Sequence, residues 1–282
     1  MIVNHISWQK RHSLILYCVL TYAISWSFMI PVALSARGWI SWQVPYAFYY
    51  FASFGPISAA LIITGITEGR EGIHAILGRL LKWKVGFRYY AFAILGPIGL
   101  FSLAVLINRI ITGSWPNLNL LGEADYLPNL TPLGTLGLWV LTYSLGEETG
   151  WRGFALPHLQ RNRPASSATL ILAIMWAVWH IPAFFFRDTY TEMGIFGYPV
   201  FAISILFTTM VFTWLYNSTG GSLLLVVLFH AFFNWLSVSE AGGQFVAPFM
   251  SIPVILWALY IPRRYGLENV APIKKQVAYL AK

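Results

Sequence analysis

Apolar residues in this chain are concentrated in long runs, which short polar segments separate. Eight such runs can be counted, at 12–34, 45–67, 88–112, 132–160, 165–187, 197–217, 221–239 and 243–261. An α-helix rises about 1.5 Å per residue, so each run can cross a hydrocarbon core of about 30 Å. The pattern predicts an all-α polytopic integral membrane protein, a bundle of about eight transmembrane helices that forms a single membrane domain over 1–282.

The composition excludes the main classes of soluble protein. Hydrophobic residues make up 57% of the 282 positions and charged residues 10%, against roughly 45–50% and 25% in ordinary soluble domains. The 18 Lys and Arg residues give a formal net charge of +8, but they are too scattered for a nucleic-acid surface. The single cysteine, Cys18, excludes an intrachain disulfide. We therefore expect a lipid bilayer around the chain and no nucleic-acid partner.

The basic residues fall on alternate segments between the runs. If the N-terminus is cytoplasmic, 14 of them lie in cytoplasmic segments: Lys10, Arg11, Arg70, Arg79, Lys82, Lys84, Arg88, Arg161, Arg163, Arg263, Arg264, Lys274, Lys275 and Lys282. Only Arg37 and Arg187 lie on the outer side, where the loop 113–131 carries Glu123 and Asp125. Cytoplasmic loops are enriched in Lys and Arg, so both termini are predicted to be cytoplasmic, with the cell membrane as the location in a prokaryote.

Two segments of the chain allow more than one interpretation. The first apolar run is longer than the 7–15 residue core of a signal peptide, which favours a retained helix. In the segment 68–84, apolar residues recur at helical spacing between basic residues. This spacing predicts a short amphipathic helix on the inner membrane surface, and the alternative is an ordinary solvated basic loop.

Three charges interrupt the fourth run: Glu147, Glu148 and Arg152. A charged residue at the centre of a membrane helix costs roughly 2.5–3.5 kcal/mol on insertion scales, so these side chains must be satisfied inside the protein. Glu148 and Arg152 are four residues apart and share a helix face, which predicts that they pair. Glu147 lies on a different face and must meet protein or water. Gly146 and Gly150 have the spacing that allows a neighbouring helix to approach closely.

Two later runs add polar residues that could join this site. His180 lies one helical turn after Trp176 near the end of the fifth run, and His230 lies one turn before Asn234 in the seventh. Glu147 and His180 are about equally far from the turn between the fourth and fifth runs, so an antiparallel hairpin would bring them to one depth. A single buried histidine or ion pair is most often structural, but the combined set favours a catalytic site.

The polar residues resemble the motifs of a known family of intramembrane proteases. The matching motifs are Glu147-Glu148-x-x-x-Arg152, Trp176-x-x-x-His180 and His230-x-x-x-Asn234, with the lead-in 219–223. They are similar to those of the CPBP family, also called the Abi or CAAX-protease-like group, which includes the Rce1-type CAAX endopeptidases. The resemblance covers about 130–240 and departs from the usual pattern at Trp176, where the family usually has Phe.

The resemblance implies an eight-helix fold and peptide-bond hydrolysis inside the membrane. Carried over, Glu147, His180 and His230 would form the catalytic core, with Glu148, Arg152 and Asn234 in support. As a possible oxyanion donor Asn234 also counts among the catalytic residues, and Trp176 is added to the supporting ones. The expected function is therefore that of an intramembrane endopeptidase acting on a membrane-associated protein or peptide.

Two mechanisms are compatible with this set of residues. In a metal-free mechanism, Glu147 is the general base that activates a water molecule, His180 orients that water, and His230 and Asn234 form an oxyanion hole. In a metalloprotease mechanism, Glu147, His180 and His230 would bind zinc, as in catalytic sites with two histidines and one glutamate. The nearest other carboxylate would then be committed to an ion pair, so the residues favour the metal-free version.

Two alternative functions remain open at this point. The chain could be a catalytically inactive immunity or scaffold protein of the same fold. It could also be a proton-coupled transporter, since intramembrane acids and histidines mark proton paths, although no inverted repeat is visible. By resemblance, substrates would be prenylated C-termini in eukaryotes or peptides such as bacteriocin precursors in prokaryotes. No residue pattern identifies a prenyl pocket or an oligomeric state.

Overall fold

The fold consists of helices that cover the predicted apolar runs. The computed structural model describes residues 2–123, 130–194, 196–242 and 246–278, with side chains from residue 12 onward. The helices are α1 Ile2–Ala36, α2 Phe48–Ala52, α3 Phe54–Thr67, α4 Gly69–Leu80, α5 Phe87–Tyr90, α6 Gly96–Thr112, α7 Pro132–Trp139, α8 Leu145–Gly150, α9 Leu156–Gln160, α10 Ala165–Trp179, α11 Asp188–Thr191, α12 Gly197–Ser218, α13 Leu223–Ser237 and α14 Val246–Tyr265. None of the described residues forms a β-strand, so the all-α prediction is confirmed.

Short π-helical turns join several of these helices into longer rods. One such turn, Ala91–Leu95, connects α5 to α6. Two others, Val140–Ser144 and Trp151–Ala155, lie on either side of α8 and join it to α7 and α9. The predicted fourth run is therefore helical from Pro132 to Gln160 but wider at two places. Single π-helical turns within helices often occur at functional sites, and these two flank the charged residues.

Within the described ranges, six helical segments are long and apolar enough to cross a membrane. They are His12–Ala36, Phe48–Thr67, Phe87–Thr112, Ala165–Phe185, Gly197–Ser218 and Val246–Tyr265. The predicted fourth run falls outside this set because its centre carries three charges, and α13 falls outside because it has 15 residues. The prediction of a polytopic membrane bundle is confirmed, while membrane crossing by the fourth and seventh runs remains a prediction.

The fourth run lies at the centre of the bundle. Every residue from 146 to 157 is buried, so its charged side chains face protein rather than lipid. The helix α3 packs against α8, and this approach depends on two glycines. A Cβ atom added to Gly146 would overlap the carbonyl of Ser53, and one added to Gly150 would overlap Pro56. The close helix approach predicted from their spacing is therefore confirmed.

The segment 68–84 is helical over Gly69–Leu80 and continues as a turn. On this helix Ile76 is buried, whereas Leu77 is exposed. The segment is bonded to the bundle at three points: Arg79 donates to the carbonyl of Gly153 (2.9 Å), Lys82 donates to that of Gly220 (2.6 Å), and Ser222 donates to that of Lys82 (2.7 Å). The predicted helix is thus confirmed over most of its length, and its place on a membrane surface remains a prediction.

The predicted cytoplasmic segments meet at one end of the bundle. The Lys82–Gly220 bond joins two of them, and the chain after α14 folds back over the others. Gln160 and Asn217 bond to each other at 2.7 and 3.2 Å and to the backbone of the C-terminal segment. The Ala278 amide donates to the carbonyl of Pro157 at 3.1 Å. The membrane side that this end faces remains a prediction, and Asp125 and Lys282, used in the topology argument, lie outside the described residues.

Candidate active site

Glu147 lies on α8, at the inner boundary of a large cavity. Its side chain is only 3% exposed, and the indole nitrogen Nε1 of Trp176 on α10 donates a hydrogen bond to its Oε2 at 2.8 Å. The other carboxylate oxygen, Oε1, is therefore the one available for a further partner in the cavity. The predicted orientation of Glu147 toward the protein interior, away from the Glu148–Arg152 face, is confirmed.

Glu148 is the shared acceptor of a buried network that joins two helical segments. Its Oε1 accepts hydrogen bonds from Arg152 (2.9 Å) and from Nδ1 of His230 on α13 (2.8 Å). The side chains of Glu148 and Arg152 are fully buried, and that of His230 is 5% exposed. The predicted pair is therefore confirmed, and the structure adds a link from this pair to His230.

Arg152 lies in the π-helical turn that follows α8, and aromatic rings cover its guanidinium. Its central carbon lies 4.4 Å from the Trp176 ring centre and 4.6 Å from that of Phe212, and one nitrogen lies 3.4 Å from the hydroxyl of Thr209. Cation–π contacts stabilise a desolvated guanidinium by about 2 kcal/mol or more. Trp176 therefore contacts both the acid of the cavity and the cation behind it.

His180 caps the C-terminal end of α10. Its Nδ1 lies 2.8 Å from the backbone carbonyl of Trp176. A carbonyl only accepts hydrogen bonds, so Nδ1 carries the hydrogen and Nε2 of the neutral ring carries a lone pair. The ring packs edge-on against Trp179 and Phe201, with centroid distances of 4.7 and 4.9 Å. The orientation of this imidazole is thus determined by the backbone of its own helix and by two aromatic neighbours.

His230 and Asn234 lie one turn apart on α13 and both line the cavity. The bond from Nδ1 of His230 to Glu148 leaves Nε2 available to the cavity. The His230 ring lies edge-on to Trp176 at 5.7 Å and contacts Phe212 at 5.3 Å. The polar groups of the site therefore come from three helical segments, which correspond to the fourth, fifth and seventh apolar runs.

One cavity of about 740 Å³ brings the predicted catalytic residues together. Glu147, His180, His230 and Asn234 all line it. Most of the remaining lining is aromatic or aliphatic and comes from α12, α14 and the segment before α12. Volumes of about 300–1,000 Å³ are typical of ligand-binding pockets, so the cavity is large enough for a short stretch of peptide.

Two cavity residues were missed by the sequence reasoning, which placed Arg187 at the outer end of the fifth run and did not single out Tyr190. Arg187 is 8% exposed and lines the cavity together with Tyr190. It follows His180 by seven residues, close to two helical turns, so the spacing could have indicated a shared face. The link between Glu148 and His230 was also missed, because nothing in the sequence gives the relative rotation of two separate helices.

The predicted zinc ligands are Glu147, His180 and His230. Within the described ranges, no three His, Cys, Asp or Glu side chains are arranged to hold one metal ion. Nδ1 of His230 is directed at Glu148, and Nδ1 of His180 at a backbone carbonyl. These contacts leave Nε2 of both rings to face either a water molecule or a metal ion, and the zinc alternative stays a prediction.

Known proteins are similar to this chain over the part that carries the site. Residues 128–236 match the family model described as type II CAAX prenyl endopeptidase Rce1-like. The CAAX prenyl protease 2 of Methanococcus maripaludis is 28% identical over 137 residues, which cover 47% of this chain and 49% of that protein. The match thus spans about half the length of the curated relative. The resemblance to the Rce1-type CPBP family that the motifs suggested is confirmed over this segment.

Proposed function

We propose that this chain is an intramembrane endopeptidase that hydrolyses a peptide bond of a membrane-associated protein or peptide. The observation that carries the proposal is the convergence of Glu147, His180, His230 and Asn234 on one cavity. The family match over 128–236 supports peptide hydrolysis as the reaction class. A transporter would need polar groups along a path through the bundle, whereas these four polar side chains converge on one cavity.

The proposed base is Glu147, acting on a water molecule in the cavity. One of its oxygens is held by the Trp176 indole, which leaves the other to accept a proton from that water. His180 presents the lone pair of Nε2 and would hold the same water by a second hydrogen bond. A water held between two acceptors is oriented with its own lone pairs toward the substrate, which is the geometry that attack on a carbonyl carbon requires.

The proposed oxyanion site is formed by His230 and Asn234. The Asn234 amide supplies an N–H donor, and Nε2 of His230 becomes a donor when the ring carries both protons. Glu148, 2.8 Å from Nδ1, is the counter-ion that such a ring needs. When the intermediate collapses, the proton taken up by Glu147 would pass to the leaving amine, which completes hydrolysis without any change in the charge of the site.

The test is cleavage of a membrane peptide by purified wild-type protein and by Glu147→Gln. Glutamine keeps the size of the side chain and a hydrogen-bond acceptor for Trp176, but it removes the base. We expect the variant to melt at the wild-type temperature or above, because a buried charge is removed, and to lose all detectable cleavage. Proteomics of membrane peptides from cells with either form would identify the substrate.

A matched control and a metal measurement complete this test. Glu123→Gln changes a carboxylate in the exposed segment after α6 and should leave cleavage unchanged. Full cleavage by Glu147→Gln would contradict the role of this residue. Stoichiometric zinc in the wild type that is absent from both His180→Ala and His230→Ala would instead favour the metalloprotease mechanism.

A further inference from the structure

The cavity lies toward one end of the bundle. Its lining residues fall within 200–212 on α12, 230–238 on and just after α13, and 247–255 on α14. These stretches lie toward the helix ends that the segments 186–197 and 238–246 connect. The opposite halves of α13 and α14 contribute no described lining residue. The cavity therefore belongs to one half of the bundle rather than to its middle alone.

The other half of the bundle is closed below the cavity. Every residue from 211 to 219 is buried, as is every residue from 146 to 157. Trp214 on α12 packs edge-on against Trp257 on α14 at 5.2 Å, and Phe92 packs edge-on against Trp214 at 4.8 Å. Among the described residues, a packed layer that includes these aromatic rings thus separates the cavity from this end.

The closed end is the one that carries most of the basic residues. Lys275 donates there to the carbonyl of Arg163 at 2.7 Å, which joins two of the predicted cytoplasmic segments. At the opposite end, Nε of Arg37 donates to the carbonyl of Phe185 at 2.8 Å, which joins two predicted outer segments. Cytoplasmic loops are enriched in Lys and Arg, so the predicted orientation puts the cavity in the outer half of the membrane.

The cavity reaches the surface of the bundle along α12 and α14. Val200 and Ile203 on α12 are each 56% exposed and Ile252 on α14 is 49% exposed, and all three line the cavity. Deeper in the bundle the same two helices meet through Trp214 and Trp257. Exposed apolar surface of this kind is typical of contact with lipid or with an apolar ligand. The opening between α12 and α14 therefore faces the bilayer rather than water.

We propose that the substrate enters this cavity from the outer half of the bilayer, between α12 and α14, as an apolar segment of a membrane-anchored protein. This inference rests on the proposed function and adds the side of the membrane and the route. Most of the lining is aromatic or aliphatic, and burying polar side chains against it without hydrogen bonds is unfavourable. The residues next to the cleaved bond should therefore be apolar.

Thiol labelling in intact cells tests the side of the membrane without requiring cleavage. Cys18→Ser removes the single cysteine of the chain, and Thr189→Cys then introduces one at an exposed residue of the cavity lining. Ser114→Cys and Arg163→Cys are the controls, at exposed positions on the predicted outer and cytoplasmic sides. With a membrane-impermeant maleimide, we expect Thr189→Cys and Ser114→Cys to be labelled before permeabilisation and Arg163→Cys only after it.

Two labelling patterns would overturn the assignment. If Thr189→Cys and Ser114→Cys are both labelled only after permeabilisation, the cavity faces the cytoplasm. If Thr189→Cys is labelled only with Arg163→Cys, while Ser114→Cys is labelled from outside, the cavity does not open at the outer end. Cys18→Ala serves as the background if Cys18→Ser does not fold.

The positions of cleavage sites separate this inference from the proposed function. New peptide termini are sequenced in membrane proteins from cells with wild type or with Glu147→Gln. We expect the termini that only wild type produces to lie in or next to apolar segments, on the outer side of the substrate. Wild-type termini on the cytoplasmic side would overturn the inference while supporting hydrolysis. Identical termini in both cell types would contradict the proposed hydrolysis, and the labelling result then decides the side of the cavity.

The route of entry is tested by narrowing the opening. Ile203→Trp/Ile252→Trp places two large side chains there, and Ile174→Trp is the control at an exposed isoleucine of α10. We expect the double variant to melt like wild type and to lose the wild-type termini, and the control to keep them. Undiminished cleavage by the folded double variant would overturn entry between α12 and α14. Ile203→Phe/Ile252→Phe replaces the double variant if it does not fold.

Discussion

The sharpest structural prediction concerns the buried cation behind the cavity. Replacing Arg152 by methionine removes the charge but keeps a long, flexible side chain that can still pack between Trp176 and Phe212. The substitution leaves Glu148 fully buried with its charge opposed only by the His230 ring. We therefore expect Arg152→Met to destabilise the protein through an uncompensated carboxylate rather than through a cavity.

The expected magnitude follows from the burial of both partners. Removing one member of a buried ion pair costs about 3–5 kcal/mol, and both side chains here have no exposed surface. For a domain of 150–250 residues, about 1 kcal/mol lowers the melting temperature by about 2–4 °C. Arg152→Met should therefore melt about 6–20 °C below wild type, and less folded protein should be recovered from membranes.

The assay is a thermal melt in detergent, followed by gel filtration to measure the folded fraction. Arg109→Met is the matched control, because Arg109 is exposed on α6, and it should melt within about 2 °C of wild type, as surface substitutions usually do. The double variant Glu148→Gln/Arg152→Met removes both charges. The amide oxygen at position 148 can still accept a hydrogen bond from Nδ1 of His230. Replacing a whole buried pair is often close to neutral, so this double variant should regain most of the lost stability.

Two outcomes would refute the reasoning. If Arg152→Met has the same melting temperature as wild type, the Glu148–Arg152 pair does not stabilise the bundle. If the double variant melts as low as the single one, the loss arises from the cation–π and packing contacts of Arg152 rather than from an unpaired Glu148.

Three further predictions follow from the same geometry. Trp176→Phe keeps the ring and removes the N–H donor to Glu147, so kcat should fall by about 10–100-fold with KM unchanged; an unchanged kcat would show that the indole N–H has no role. Asn234→Ala should lower kcat on the order of 10²–10³-fold, as for one oxyanion donor, and a change confined to KM would identify a binding role instead. Reporter fusions after Lys282 and within 113–131 should lie on opposite sides of the membrane, and a same-side result would contradict the span count and orientation.

The fold was largely predictable because a bilayer imposes strong constraints on sequence. Apolar runs long enough to span the membrane have few alternatives to helices, and the observed helices cover all eight runs. Most ends agree within a few residues, but α1 begins at Ile2 rather than at 12, and α10 ends at Trp179 rather than at 187. The close approach of another helix to Gly146 and Gly150 was also predictable, since the spacing of these two glycines alone indicates it. The π-helical turns on either side of α8 had no sequence signal, because they change helix rotation without changing apolarity.

For the candidate site, the sequence could predict two things: contacts between residues of one helix, and the depth of each residue in the membrane. It could not predict contacts between different helices. The Glu148–Arg152 pair is local, at i and i+4, and it was found from spacing. The contacts of Trp176 with Glu147 and of His230 with Glu148 join different helices, and they depend on rotations that the two π-helical turns help to determine. Arg187 was placed at the outer end of the fifth run, whereas the turn Ile181–Phe185 brings it to the wall of the cavity.

The two histidines are chemically distinct because of what each Nδ1 contacts. A backbone carbonyl faces Nδ1 of His180, so this ring presents a lone pair at Nε2 and suits the side of the cavity where water loses a proton. A carboxylate faces Nδ1 of His230, so this ring has a counter-ion when it carries both protons and donates from Nε2. Arg152 shares the same carboxylate oxygen, which keeps Glu148 paired when His230 is neutral. The buried carboxylate therefore keeps a partner whether or not His230 carries both protons, as the proposed mechanism requires.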